Sequence, residues 1–319
     1  MATAGLGTLL VLSVQSGDAA PRDVTLAYHP VDDDGAAAMT KAVNSPDLPR
    51  TFTVAGTRVG ALRLGAFAPQ YDDSFNAASD AAAAIAGTSD DQAMVAGFCA
   101  VVTAFIGEAN DLAGQSDVLV LDLRGNMGGF GREARLLAQA LAPAPLPASF
   151  DVFAGSTSGK VTLKPEPTDP SCGHISVQRP VIVLTDAGTR SAGELMSAWL
   201  WGAGVAVAGE RTVGAGGGFE FGSSGFDLPV TGYAVRTSGN FTLFDSTGTL
   251  VAGDMDEEAM VNGVAADGFA PSRTRPFAIQ AAGLRPDVAD TTTLADLHDG
   301  GVAEVGRIIT VLKAQGRLP

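Results

Sequence analysis

The sequence predicts an α/β fold built on a largely parallel sheet. Three short, continuous apolar runs, at 118–123, 180–185 and 205–208, are typical of strands that are buried on both faces. Helical patterns follow the first two runs, over 132–141 and 192–201. Alternation of buried strands with helices is the arrangement of α/β proteins with a parallel sheet.

The chain has 319 residues, of which 46% are hydrophobic, so it can bury a large core. The polar segment 29–49 contains an Asp-rich turn and three prolines, which indicate a boundary loop. We therefore divide the chain into a small N-terminal segment with its linker, 1–48, and one main domain, 49–319.

The apolar run 5–14 is compatible with a signal peptide or with the first strand of a β-hairpin. No Lys or Arg precedes this run, as a signal peptide would require, so we favour a hairpin of 8–14 and 23–28. No apolar run is long enough to predict a membrane span.

The remaining elements are predicted from periodicity and turn residues. They are strands at 51–54 and 59–64, one or two helices within 73–106 broken near 87–89, a hairpin around 158–160, antiparallel strands within 233–251, an irregular insertion at 254–276, and a helix over 294–315.

The formal net charge of −15 disfavours nucleic-acid binding, because an acidic surface repels phosphates. Two cysteines make neither a disulfide framework nor a zinc site. Cys99 is predicted to lie in the core and Cys172 in a loop, with a single bridge left open. We predict no metal and no cofactor.

Ser191 lies where the strand 181–184 has turned into the helix that follows. The first backbone N–H groups of a helix point at such a position, and they can stabilise the oxyanion that forms when a hydroxyl attacks a carbonyl. An alternative is structural: Ser191 and Glu194 have the spacing of a capping box.

The turn after strand 118–123 is rich in glycine, ending in Gly128 and Gly129. Glycine permits positive φ and close backbone approach, so this turn could supply further N–H donors beside Ser191. The alternatives are a tight turn with Arg124 in a structural salt bridge, or a phosphate loop. The second lacks the Gly-Lys-Ser/Thr that such a loop requires.

The chain resembles the carboxyl-terminal-processing and tricorn-core serine peptidases. Five segments carry the resemblance in order: 59–67 (VGALRLGAF), 120–129 (VLDLRGNMGG), 181–194 (VIVLTDAGTRSAGE), 209–214 (GERTVG) and 283–287 (GLRPD). They are similar to the family patterns GYIRLxxF, LDLRxNxGG, VLVDxxTASAxE, GExTFG and GIxPD. The N-terminal hairpin resembles the last strands of the family's PDZ-like domain.

The resemblance implies a crotonase/ClpP-like layered core that cleaves peptide bonds in polypeptide substrates, often near their C-termini. Ser191 would be the nucleophile. The N–H of Gly128 or Gly129 and that of Ala192 would stabilise the oxyanion. The family also implies an extracytoplasmic location.

The residue that should activate Ser191 departs from the family pattern. One branch uses a lysine where this chain has Ala215, and the lysines present are Lys41, Lys160, Lys164 and Lys313. The other branch uses a histidine upstream of the PDZ-like domain and a glutamate where this chain has Gln280. Candidate replacements, beside the unplaced upstream histidine, are His174 for the base and Glu257 or Glu258 for the glutamate. His29 and His298 are predicted to be surface residues.

Two functions remain. The first is a serine-type peptidase acting through a Ser191 acyl-enzyme. The second is a catalytically impaired family member that binds peptides or apolar ligands. The missing lysine and the presence of Gln280 at the glutamate position favour the second, and retention of Ser191 with both glycine-lined turns favours the first. A nucleotide-binding domain is disfavoured by charge and motif.

Overall fold

The computed structural model describes residues 9–14, 22–27, 47–154, 159–166, 172, 177, 179–218, 225–227, 234–236, 240–257, 271–280 and 282–319. The chain divides into two compact units, Met1–Ser45 and Pro46–Pro319. In the first, strands β1 (Leu9–Val14) and β2 (Arg22–Ala27) form the predicted antiparallel hairpin. Its likeness to a PDZ domain stays a prediction.

The central sheet of the second unit has six strands. These are β3 (Thr51–Val54), β4 (Thr57–Arg63), β5 (Val118–Asp122), β8 (Val181–Thr185), β9 (Ala206–Gly209) and β15 (Val288–Ala289). Their order is β15-β9-β8-β5-β4-β3, with every pair parallel except β3 and β4. The predicted largely parallel sheet is therefore confirmed.

A second sheet, antiparallel throughout, has the order β13-β7-β6-β12-β14. Its strands are β6 (Ala148–Ala154), β7 (Lys160–Pro165), β12 (Asn240–Asp245), β13 (Gly253–Asp256) and β14 (Phe277–Ala278). Two further strands, β10 (Gly225–Asp227) and β11 (Ala234–Arg236), pair with each other.

Six helices of four residues or more are described. They are α1 (Asp73–Ala83), α2 (Asp90–Ala113), α3 (Gly131–Leu141), α4 (Ala192–Gly202), α5 (Leu294–His298) and α6 (Val302–Ala314). A 3-10 turn at Pro69–Tyr71 precedes α1. Asp72 and Ser89 cap α1 and α2, which explains the break predicted between them.

Both faces of the central sheet are buried, as the continuous apolar strands require. Along β5, Leu119 and Leu121 join one core cluster together with residues of α2, α3 and α4. The alternate residues Val118 and Val120 join a second cluster with residues of α6. This two-residue alternation is the pleat of a strand covered on both sides.

By length and composition alone, helix α2 could cross a membrane. It is the one helix in the described part of the chain that meets these two criteria. Core helices pass the same test, and Phe98, Val102 and Ile106 of α2 are fully buried in the first cluster. The expected lack of a membrane span stays a prediction.

Two expectations need correction, and one open alternative is decided. Residues 254–256 belong to β13, because Gly253–Asp256 pairs with β7, so the start of the expected insertion is a strand. The C-terminal helix is two helices, because Gly300 and Gly301 adopt positive φ between them. The bridge left open by the sequence is present: Cys99 forms a disulfide with Cys172, which ties α2 to the segment before β8.

Candidate active site

The turns after β5 and β8 meet at one edge of the central sheet. The two strands are parallel neighbours, with Asp122 opposite Leu184 near the ends of both. Carboxyl ends of adjacent parallel strands open on the same side of a sheet, which is where α/β proteins place their sites. The β5 turn runs from Leu123 to Phe130, and the β8 turn from Asp186 to Ser191.

Ser191 is the first point of interest, because its backbone is strained. It has φ 51° and ψ −127°, a positive φ shared by one other non-glycine residue, Ala55, in the described part of the chain. Such a conformation costs about 1–3 kcal/mol and persists only where surrounding contacts impose it.

The capping-box interpretation is wrong for the Ser191 hydroxyl, which makes no cap hydrogen bond although Ser191 is the N-cap residue of α4. In the strained backbone the hydroxyl is left without a partner among the described residues. The side chain is half-buried and remains accessible at the edge of the sheet.

Gly128 packs directly against Ser191. A Cβ built at Gly128 would lie 2.5 Å from the Ser191 Cβ, 2.9 Å from its Oγ and 3.1 Å from the Ala192 nitrogen. Gly128 also has φ +87°, which a side chain tolerates poorly. The structure thus brings together Ser191, Ala192 and the Gly128–Gly129 pair, the four residues selected from the sequence.

The backbone donors around Ser191 are not equivalent. The Gly128 N–H donates to Asn126 Oδ1 at 2.8 Å, so it is already engaged. The N–H groups of Gly129 and Ala192 donate to no acceptor within the described residues. Gly129 has φ +130°, and a Cβ there would lie 1.9 Å from the Phe67 carbonyl oxygen.

Asn126 was missed as a site residue, although its motif was recognised. It is fully buried, and its Nδ2 donates to the Leu64 carbonyl at 2.8 Å while its Oδ1 accepts from Gly128. Its carbonyl accepts from the Arg190 N–H at 3.0 Å, so one residue joins both turns. A polar residue in a turn after a buried strand was the available signal.

Asp186 and Thr189 form a second link between the turns. Asp186 Oδ1 accepts from the Gly125 N–H at 2.8 Å and from the Gly188 N–H at 2.9 Å. The Thr189 hydroxyl donates to the Leu123 carbonyl at 2.8 Å. These contacts hold the β8 turn against the β5 turn and so fix the approach of Ser191 to Gly128.

Glu194 reaches across to the segment that follows β9. Its carboxylate accepts from the Thr212 hydroxyl, from the Gly214 N–H at 2.7 Å and from the Ala215 N–H at 2.6 Å. Burial raises the pKa of Glu194, and these hydrogen bonds oppose that rise. The contacts join the 181–194 and 209–214 segments beside Ser191.

Arg124 is fully buried beneath the β5 turn. It donates to both carboxylate oxygens of Asp122 and, at 2.8 Å, to Glu304 in the first turn of α6. The structural salt bridge considered from the sequence is therefore present, and it ties the end of β5 to the C-terminal helix.

The structure brings none of the described lysines or histidines into hydrogen-bonding contact with Ser191. Lys160 pairs with Asp256 at 2.6 Å, and Lys164 lies over the Phe153 ring at 4.5 Å. Lys313 lies on α6, and His298 is exposed at the end of α5. Lys41, His29, His174 and Glu258 lie outside the described residues.

Gln280, at the family's glutamate position, and Glu257, its described candidate replacement, differ in environment. Glu257 is exposed next to the β6–β7 hairpin. Gln280 has a buried Oε1 without a hydrogen-bond partner among the described residues. Within the same residues, no group of three or more His, Cys, Asp or Glu is arranged to hold a metal ion.

The sequence model of peptidase family S41 matches residues 100–237. This range contains both turns, Ser191 and the Gly128–Gly129 pair, so the match supports the resemblance predicted from the sequence. No curated protein sequence matches the chain.

Among solved structures, two of CPAF share the fold. Mature CPAF has a TM-score of 0.52 at 14% identity, over 97% of this chain and 67% of that one. Mature CPAF complexed with lactacystin has a TM-score of 0.51 at 14% identity, over 97% and 68%. A photosystem II D1 C-terminal processing protease has a TM-score of 0.46 at 19% identity, over 90% and 56%.

The likeness to the CPAF structures is one of fold, because the identity is low. The chain spans 56 to 68% of the length of these three structures.

Proposed function

We propose that this chain, whose residues 100–237 match the model of peptidase family S41, hydrolyses peptide bonds through an acyl-enzyme formed on Ser191. The observation that carries the proposal is the environment of one hydroxyl. Ser191 is strained, without a hydrogen-bond partner among the described residues, and packed against a glycine turn. A serine that served only to cap α4 would engage its hydroxyl.

In this mechanism the Ser191 Oγ attacks the scissile carbonyl carbon while its proton passes to a base. The carbonyl oxygen becomes an oxyanion, for which the N–H groups of Gly129 and Ala192 are the proposed donors. The C–N bond then breaks, the amine leaves with the proton, and water hydrolyses the ester. Gly129 is favoured over Gly128, because the Gly128 N–H is held by Asn126.

The base belongs to none of the described lysines or histidines, so we assign it to His174 or to a histidine supplied from elsewhere. Ala215 stands where one branch of the family has its lysine, and its N–H is bound by Glu194. Preference for cleavage near C-termini stays a prediction. The Cys99–Cys172 disulfide supports an extracytoplasmic location, because such bonds persist in oxidising compartments.

Labelling with a fluorophosphonate probe tests the proposal directly, because the probe reacts with activated serines. We expect the wild type to be labelled on Ser191 and the Ser191→Ala variant to remain unlabelled. Peptide mapping by mass spectrometry identifies the modified residue. Absence of Ser191-dependent labelling in the full chain would contradict the peptidase proposal.

The second candidate is a binding module without catalysis. It is favoured by one observation: Ala215 replaces the lysine, and its backbone is locked on Glu194. In that case the wild type resists the probe but still binds peptides at the same face. Reactivity of Ser191 with the probe would exclude this alternative.

A further inference from the structure

Arg190, the residue before Ser191, departs from the family pattern quoted above, which has alanine there. Its backbone is fixed, since its N–H donates to the Asn126 carbonyl and its own carbonyl accepts from Gly193, both at 3.0 Å. The position of the Arg190 Cα atom is therefore set by the same hydrogen-bond network that places Ser191.

The Arg190 guanidinium has no acidic partner among the described residues. Its Nη2 contacts Met127 Sδ at 2.6 Å, and a thioether is a weak acceptor. Most other described arginines bind carboxylates, as Arg124, Arg132 and Arg307 do. In a chain of net charge −15, a half-buried arginine without a carboxylate is a ready site for a carboxylate from outside.

Three exposed apolar residues belong to the chain segments next to Arg190 and Ser191. Met127, Phe130 and Val213 are 59%, 39% and 52% exposed, three of the seven large exposed hydrophobic residues among those described. Met127 and Phe130 flank Gly128–Gly129, and the Val213 N–H donates to the Thr189 carbonyl. Exposed apolar groups that cluster around a candidate nucleophile indicate a binding surface.

The geometry places this cation close to the bond that would be cleaved. Met127 directly precedes Gly128, which packs on Ser191, so its contact with Arg190 holds the guanidinium beside that glycine. An extended peptide advances about 3.3–3.6 Å per residue. A carboxylate on Arg190 therefore belongs to a residue adjacent, or nearly so, to the scissile bond.

We propose that Arg190, with Met127, Phe130 and Val213, selects peptides that carry a carboxylate beside a bulky apolar residue at the scissile bond. The proposal rests on the peptidase function proposed above and names its substrate class. The carboxylate belongs either to an acidic side chain or to the C-terminus of the peptide, and the experiment separates these sources.

Binding is measured by fluorescence anisotropy with the full-length Ser191→Ala protein, which cannot turn the peptides over. The probes are four fluorescein-labelled hexapeptides. Three end in an amide and have Leu-Asp, Leu-Asn or Ala-Asp at the centre, and the fourth ends in Leu-Asn with a free carboxylate.

We expect the Leu-Asp amide to bind about tenfold more tightly than the Leu-Asn amide, since a charge-assisted hydrogen bond is gained. The Ala-Asp amide should bind more weakly than the Leu-Asp amide. Tighter binding of the free-carboxylate peptide than of the Leu-Asn amide identifies the C-terminus as a source. The preference should shrink as salt is added.

Two matched variants assign the effect. Arg190→Gln, combined with Ser191→Ala, should abolish the carboxylate preference. Arg179→Gln in the same background should retain it, because Arg179 precedes β8 at the opposite edge of the sheet and carries the same charge. Circular dichroism checks that both variants are folded.

The proposal is overturned if the Leu-Asp amide and the free-carboxylate peptide bind with the same affinity as the Leu-Asn amide. It is also overturned if the carboxylate preference survives Arg190→Gln, or if none of the four peptides binds. Failure of the peptidase function has a different signature. In that case the wild type is not labelled on Ser191, whereas Ser191→Ala still prefers the carboxylate peptides.

Discussion

The turn after β5 and the turn after β8 leave neighbouring parallel strands, and each leads into a helix. The β5 turn uses glycine wherever φ is positive, at Gly125, Gly128 and Gly129. The β8 turn has one positive φ in a non-glycine residue, and that residue is Ser191. The first turn is unstrained, whereas the second concentrates strain on Ser191, whose hydroxyl has no hydrogen-bond partner among the described residues.

The helices that follow repeat this contrast. Glu133 and Glu194 are each the third residue of their helix, and both are buried. Glu194 is held by donors from the Thr212–Ala215 segment. Glu133 has a buried Oε2 without a partner among the described residues. The Glu194 carboxylate, beside Ser191, is thus held by several hydrogen bonds, whereas the Glu133 carboxylate, after the β5 turn, has a buried oxygen without a partner among the described residues.

Gly128→Ala should have the largest effect, because the new Cβ would lie 2.5 Å from the Ser191 Cβ. Displacing a nucleophile by about 1 Å costs roughly 100-fold in rate, so fluorophosphonate labelling should fall at least that much. Gly87→Ala is the control: Gly87 has φ +88° but nothing within 4 Å of a new Cβ. Equal loss of labelling in both variants would show that backbone strain, not the contact, is responsible.

Glu133→Gln should alter the dependence of stability on pH. Burial, with a smaller contribution from Asp72, raises the pKa of Glu133 from 4.5 to about 7. The folded protein therefore disfavours the ionised form, and the wild type loses stability as pH rises from 4.5 towards 7. The total loss, complete above about pH 7, amounts to about 3 kcal/mol.

Urea unfolding at pH 5 and pH 8 measures this effect. The wild type should lose more unfolding free energy between these values than Glu133→Gln does. Glu108→Gln removes an exposed carboxylate of α2 and so controls for net charge. If Glu133→Gln declines with pH as steeply as the wild type, Glu133 does not bear this penalty.

Asn126→Ala tests the link between the two turns. It leaves the buried Gly128 N–H and the Leu64 carbonyl without their side-chain partners. Unpaired buried polar groups cost about 1–3 kcal/mol each, so the free energy of unfolding should fall by about 2 kcal/mol or more. Chemical denaturation measures the loss, and a change below about 0.5 kcal/mol would mean that water replaces the amide.

The features of the fold and of the site that the sequence predicted are those marked by residues close together in the chain. Continuous apolar strands predicted the sheet, and turn glycines predicted where the backbone comes close. The link from Glu194 to Gly214 and Ala215 could not be predicted, because Ser191 and Glu194 also fit a capping box. The Cys99–Cys172 bond could not be predicted either, because it joins residues 73 apart through tertiary packing alone.

The smallest predicted effect isolates the strain at Ser191. Ser191→Gly and Ser191→Ala both remove the hydroxyl, so neither should react with the probe. Only glycine adopts φ 51° with ψ −127° without strain. The relief of strain, about 1–3 kcal/mol, exceeds the entropic cost of glycine, about 0.5–1 kcal/mol. The free energy of unfolding of Ser191→Gly should therefore be about 1 kcal/mol higher than that of Ser191→Ala, as measured by chemical denaturation. If alanine is the more stable of the two, the turn after β8 relaxes once the hydroxyl is gone, and the contrast with the turn after β5 lies in hydrogen bonding alone.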